Sequence, residues 1–458
     1  MQRIMNKTLP AIFPAILAAL AICLASGASP ALGSPAAAPG PAEALPGVTP
    51  AMQSASFWTG KLAAKNRLIM DRGGIDAFNR EIRRQSPSIV FDLAAYPQTL
   101  DRETLAAMLR GTRYPSRPLY AGGVPVAASL QAALREQVNL DGLRARNEVR
   151  YALAVARADL RTFPTAQGVF DSPDDDEFDL FQETIVNPAE PLLILHRSRD
   201  GRWYYVQTVN YRGWLAADAV AVVPGRDAWL AYAARADLDF LVVTAANLQV
   251  KTSDNAPPVV FEMGARIPLA GRGPSGYRIE LPVRGRDGLA VFAQTVLPAD
   301  SDVSVGYLPY TGENILRQAF KLQNVRYGWG GLFGGVDCSS FVMDIYRTVG
   351  IILPRNADQQ RATAGIARDL RGLSPAAKAT VLRSLRPGAA FFKRGHVVLY
   401  LGEDNGRGFV IHALTAYRDA ASRDVPVMRV VVSAVDMLCA DGKTLLEALT
   451  VARQYQND

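Results

Sequence analysis

Residues 327–341 read YGWGGLFGGVDCSSF. Five glycines crowd into residues 328–335, and Asp337-Cys338 follows directly. From there Cys338, Val342, Ile345 and Val349 recur at helical spacing, and Gly350 ends the run. The pattern predicts a helix that begins at Cys338, with Asp337 as its N-cap. A cysteine placed there is a packing residue, half of a disulfide, or a nucleophile.

Position bears on the choice. The unsatisfied N–H groups and dipole of a helix start favour a thiolate. Asp337 opposes it, since a nearby carboxylate raises a thiol's pKa. The dipole contributes only about 0.3–1 kcal/mol, less than one pKa unit, so a cationic neighbour is needed. The expected resting arrangement is therefore a sulfur held anionic by an imidazolium.

The chain has three histidines, His196, His396 and His412. His396 opens the apolar run GHVVLYLG and His412 sits in VIHAL, both downstream of Cys338. A cysteine nucleophile needs one imidazole as base and a second group to hold that ring's tautomer. His396 can be the base and His412 the orienting group. His196, in ILHRS, reads as core or surface.

The two runs are joined by GEDNGRG, and this raises a register problem. Asn405-Gly406 is the signature of a two-residue hairpin turn. That turn pairs 402 with 409 and 399 with 412, which sends His396 and His412 to opposite faces. A loop centred on Asp404 would set 396 opposite 412. The expectation is that the Asn-Gly signal loses.

Working outward, residues 305–458 show helices first (TGENILRQAFKLQ capped by Thr311, the Cys338 helix, SPAAKATVLRSL) and apolar strands later (AAFF, HVVLYLG, GFVIHAL). This predicts an α+β domain. Residues 149–226 and 227–304 are short β-branched and aromatic runs divided by turn signals such as Asp200-Gly201, and predict two small β-barrels in series. Residues 51–148 carry helical spacing and predict a mainly helical region. Residues 28–50 are Ala/Pro/Gly-rich and read as a flexible tether.

Arg3 and Lys7, the short apolar run AIFPAILAALAICLA and the small residues after it form the three-part pattern of a signal peptide over residues 1–27. Export to the periplasm or cell envelope is expected, with no transmembrane span in the mature chain. Ile22 is too large for Cys23 to fit a lipidation site. Loss of Cys23 leaves Cys338 and Cys439, and an exported pair invites a disulfide reading.

The 458 residues suggest three or four domains, and 49% hydrophobic content allows them real cores. The formal charge of +7 favours an anionic partner, but no block of five basic residues indicates nucleic acid. The run Asp174, Asp175, Asp176, Glu177 reads as a solvated loop, and a metal site there would need further ligands. No metal or other cofactor is expected.

The motifs YGWGG, DCSSF, GIILPRN, the PG before AAFFKRGHVVLYLG, and IHAL, taken in order over 312–415, resemble the NlpC/P60 family of cysteine peptidases. EPLLILHRSRDGRWYYVQTVNYRGWL, residues 190–215, resembles a bacterial SH3-type domain. The layout is similar to a multidomain murein endopeptidase branch of that family. The resemblance implies a reduced papain-like catalytic domain that acts on peptide stems of peptidoglycan. It implies Cys338 as nucleophile, His396 as base, His412 as third member, and Tyr327 near the oxyanion site. It extends to Asp337 and Ser339 as binders of a substrate's amino end, and to Arg355 and Asn356 beside them. Tyr204, Tyr205 and Tyr211 of the first barrel can line the cleft, although aromatics in small barrels are usually core.

The expected reaction is hydrolysis of the bond between γ-D-glutamate and a diamino acid through an acyl-enzyme. An amidase or acyltransferase on the same fold stays open, as does a non-catalytic wall-binding scaffold.

Overall fold

The sheets combine hairpins with strands paired across long stretches of chain, and several helices are held by local caps. Thr311, Asp337 and Ser374 each accept a backbone N–H at the start of the helices Gly312–Lys321, Cys338–Arg347 and Pro375–Arg383. The structure is a computed structural model that describes residues 44–252 and 257–457. The expected signal peptide and the tether up to residue 43 lie outside the described residues. Residues 44–50 do not behave as a tether, because Leu45 and Val48 are buried in the C-terminal core.

The C-terminal domain centres on a six-stranded antiparallel sheet. Its strand order is Ile366–Asp369, Val451–Gln454, Ala390–Lys393, His396–Asp404, Arg407–Arg418, Asp424–Ala434. Alternate residues along His396–Asp404 enter two cores. Val397, Leu399 and Leu401 join the cluster of the Cys338 helix, and Val398 and Tyr400 join that of Leu382 and Cys439. Cys338 and Cys439 thus sit in separate cores, and both are free thiols. The disulfide reading is excluded.

Residues 150–222 hold a seven-stranded antiparallel sheet that runs from Arg150–Ala154 to Val220–Val222. The Asp200-Gly201 turn is present, with Gly201 at φ 72°. A helix that the sequence pattern did not indicate, Arg226–Leu238, follows and buries Trp229, Tyr232 and Ala236 against this unit. Apolar residues are spread around its axis, so no one-sided stripe marked it. Residues 240–305 form a five-stranded antiparallel sheet and a two-stranded ribbon around Leu241, Phe261, Ile267 and Ile279.

The region at 51–148 has helices at Ala55–Gly60, Arg72–Gln85, Arg102–Arg110 and Ser129–Gln137. They do not share a core. Trp58, Ile75, Phe78 and Ile82 pack into the C-terminal domain, whereas Leu105, Leu109 and Leu134 pack into the first β unit. Short helices with one apolar stripe each must borrow a larger partner. The strand Leu68–Met70 accordingly pairs with Tyr310–Thr311. Among the described residues no helix is long and apolar enough to cross a membrane.

Candidate active site

Asp337 folds the start of the Cys338 helix around itself. Its Oδ1 accepts N–H bonds from Ser339 at 3.1 Å and Ser340 at 2.9 Å, and its Oδ2 accepts the Gly330 N–H at 3.1 Å. Cys338 is left at the first helical position, 7% exposed. The glycine-rich loop lies against the first β unit. A Cβ at Gly330 would stand 2.7 Å from Gln182 Cγ, so only glycine allows the approach. Gln182 Nε2 donates to the Gly330 carbonyl at 2.9 Å, and Trp329 Nε1 donates to the Gln182 carbonyl at 3.2 Å.

The histidines meet, by a route different from the expected one. Asn405 and Gly406 do form the tight turn, with positive φ at both, and Gly402 pairs with Phe409. The ladder then skips Leu401, so that Tyr400 pairs with Val410 and Leu399 with Ile411. This β-bulge shifts the register by one residue. The expected loop centred on Asp404 is therefore corrected: the turn signal holds, and the bulge undoes its consequence. His396 Nε2 and His412 Nδ1 are 2.8 Å apart. His412 is fully buried, and its Nε2 lies 2.9 Å from Ser433 Oγ. The backbone N–H of Val397, next to His396, lies close enough to the Cys338 sulfur to favour its thiolate form.

Electrostatics revise the expected ion pair. Burial, reinforced by the Asp337 charge, pushes the Cys338 thiol up to about 12. Burial and the Lys393 charge bring His396 down to about 3. Burial also holds His412 well below the usual histidine range, with His396 and Lys393 adding to it. Desolvation disfavours the thiolate and both imidazolium forms, which favours a thiol and two neutral imidazoles at rest. Tyr327, 5% exposed, has its phenol pKa raised by burial and by the nearby Cys338 and Asp337, and remains a donor.

Asp337, Ser339 and Arg355 bind one another. Arg355 donates through Nη1 to Asp337 Oδ1 at 3.1 Å and to Ser339 Oγ at 2.8 Å, and through Nη2 to Asp337 Oδ2 at 2.5 Å. Its Nε donates to Thr184 Oγ1, in the first β unit, at 2.7 Å. Burial raises the Asp337 pKa, but the Arg355 charge and the N–H bonds outweigh it, and the net shift is down. Asp337 is thus already paired with a buried guanidinium. Of the two readings of Asp337 and Ser339, this geometry favours the structural one: with Arg355 they brace the helix start.

The rim joins two residues the sequence reading named, Asn356 and Tyr211, to one it passed over, Glu183. Asn356 is exposed and its side chain reaches the Tyr211 phenol. The Tyr211 hydroxyl donates to Glu183 Oε2, and Thr162 Oγ1 donates to Glu183 Oε1 at 2.6 Å. Tyr204 and Tyr205 are buried in the first β unit. His196 lies away from this cluster, its Nε2 3.0 Å from the Asn139 carbonyl. The acidic run is not wholly solvated, since Glu177 pairs with Arg326 at 2.5 Å and Arg326 covers the exposed Phe333 ring. Among the described residues no cluster of His, Cys, Asp and Glu has the makings of a metal site. Ser433 was readable in principle: a lone polar residue inside VVVSAV needs a buried partner.

A profile of the NlpC/P60 family matches residues 324–426. Over that stretch the chain is similar to the NlpC/P60 family. A second profile, of an SH3 domain of the SH3b1 type, matches residues 168–216. The NlpC/P60 family is a cysteine peptidase family. The chain is 25% identical over 196 residues to a gamma-D-glutamyl-L-lysine dipeptidyl-peptidase of Bacillus cereus, covering 41% of this chain and 53% of the relative. It is 33% identical over 81 residues to a protein of the same name from Bacillus subtilis, covering 17% of this chain and 27% of the relative. The match thus spans about half, or less, of those relatives' lengths. In fold the chain is similar to an NlpC/P60 endopeptidase from Photobacterium damselae subsp. piscicida, with TM-score 0.71 at 16% identity, over 87% of this chain and 96% of that one.

Proposed function

We propose that this protein is an exported cysteine peptidase that cuts peptide stems of peptidoglycan between γ-D-glutamate and a diamino acid. The observation that carries the proposal is the 2.8 Å bond between His396 and His412 beside the helix-start thiol. With Nε2 of His396 engaged by His412, Nδ1 is the nitrogen that takes the Cys338 proton. Sulfur then attacks the scissile carbonyl as the proton leaves, because burial keeps the resting pair neutral. The oxyanion is met by the Cys338 N–H, which has no intrahelical acceptor, and by the Tyr327 hydroxyl. His396 returns its proton to the leaving amine, and water clears the acyl-enzyme.

The two similar Bacillus proteins are named as dipeptidyl-peptidases acting at γ-D-glutamyl-L-lysine. A dipeptidyl-peptidase reads a free amino end. With Asp337 paired to Arg355, a carboxylate suited to meet an ammonium is Glu183, with Tyr211 and Asn356 beside it. The first β unit then acts as a wall that admits unblocked stems, and the second is read as another SH3-like barrel. Purified muropeptides should be incubated with wild type and Cys338→Ala, and the products weighed. Release of a dipeptide by wild type alone supports the proposal. Cleavage elsewhere or acyl transfer means other chemistry on this fold, and binding without products means a scaffold.

A further inference from the structure

His412 is buried with both ring nitrogens engaged, Nδ1 by His396 Nε2 at 2.8 Å and Nε2 by Ser433 Oγ at 2.9 Å. Ser433 is itself fully buried, on the neighbouring strand Asp424–Ala434. Since burial keeps both rings neutral, each carries one proton, and the open question is which nitrogen holds it. The bonds couple the two choices. A base at His396 needs a lone pair on Nδ1, so its proton sits on Nε2 and is donated to His412 Nδ1. The His412 proton must then sit on Nε2, where the remaining acceptor is the Ser433 hydroxyl oxygen.

We propose that Ser433 is a positioning residue that sets the tautomers of His412 and His396 by accepting the His412 Nε2 proton. The inference rests on the reading of Cys338 and His396 as nucleophile and base. Without the hydroxyl, the Nε2–H tautomer leaves a buried donor unsatisfied. The alternative tautomer then gains. His412 donates from Nδ1, His396 must accept at Nε2, and the His396 proton moves to Nδ1. A protonated Nδ1 cannot take the thiol proton. Ser433 touches neither substrate nor sulfur, and acts through two rings.

The chain's three histidines make the test direct. In ¹⁵N-histidine-labelled Cys338→Ala protein, long-range ¹H–¹⁵N correlation reads each tautomer. Protonated Nε2 at both His396 and His412 is expected, and protonated Nδ1 at His412 overturns the proposal. Ser433→Ala should lower kcat by at least about tenfold with KM within about twofold, since a wrong tautomer acts on the chemical step. It should also move the His412 signal to the Nδ1–H form. Unchanged kcat and an unchanged signal overturn the proposal. Ser433→Thr, which keeps the hydroxyl, should restore the wild-type tautomer. Should Ser433→Ala fail to fold, the Cys338→Ala spectrum decides alone. Failure of the cysteine-peptidase reading shows separately, as muropeptide products that persist in Cys338→Ala.

Discussion

His396 and His412 hydrogen bond at 2.8 Å although the turn between them, by itself, directs their side chains to opposite faces of the sheet. The skipped residue, Leu401, restores the common face. The pairing therefore depends on a local irregularity five residues from His396 and next to Gly402, which adopts φ 125°.

Gly402→Ala tests that dependence. Its Cβ would have room, the nearest atom being Pro387 Cγ at 3.7 Å, so the cost is backbone strain. We expect a stability loss of about 1–3 kcal/mol. The kcat should drop further than that loss explains, as the histidine register loosens. Urea unfolding and turnover of a stem peptide measure the two effects.

Arg355→Met removes the partner of a buried carboxylate. The side chains of Arg355 and Asp337 are 3% and 8% exposed, so the orphaned charge has little access to water. A loss of about 3–5 kcal/mol is expected. The double variant Arg355→Met/Asp337→Asn should recover part of it by removing the charge. Denaturant midpoints of the three proteins check both statements.

Acid should weaken the fold through the histidine pair. His396 titrates near 6.5 when unfolded and near 3 when folded, and His412 is shifted the same way. Within that window the unfolded chain holds the extra protons, so stability is full above about 6.5 and falls as pH drops toward the folded value. The slope is about 1.4 kcal/mol per pH unit for each histidine. Unfolding measured at pH 7.5 and pH 5 should differ less in His396→Gln/His412→Gln than in wild type.

Glu183→Gln should separate substrates by their amino end. Loss of a charged hydrogen bond is worth about 1.5–3 kcal/mol, or roughly 10- to 150-fold in kcat/KM for a stem peptide with a free amine. An N-acetylated peptide, which cannot form that bond, should show no such drop. Equal losses for both would remove Glu183 from the proposed recognition.

Much of the site was legible because its signals are local. The Asp337 cap, the Cys338 start and the Thr311 cap each follow from residues within one helical turn, and all three are present. The helix Arg226–Leu238 escaped notice because its apolar residues have no single face. The region 51–148 read as one unit because helical period shows which face is apolar, but not which core receives it. Ser433 and Glu183 escaped because their partners lie on distant segments of the chain.

The order of chemistry along this chain, a thiol at a helix start followed by two histidines on strands, is a property of the sequence, since caps and periodicity act over a few residues. Which polar atoms meet was decided by the tertiary structure. A one-residue bulge inverts the face of a strand, and burial disfavours the charged forms of the Cys338 thiol and both imidazoles. The Arg355 guanidinium takes Asp337 because the two are folded together out of solvent. Those outcomes depend on contacts among segments that no window of sequence contains.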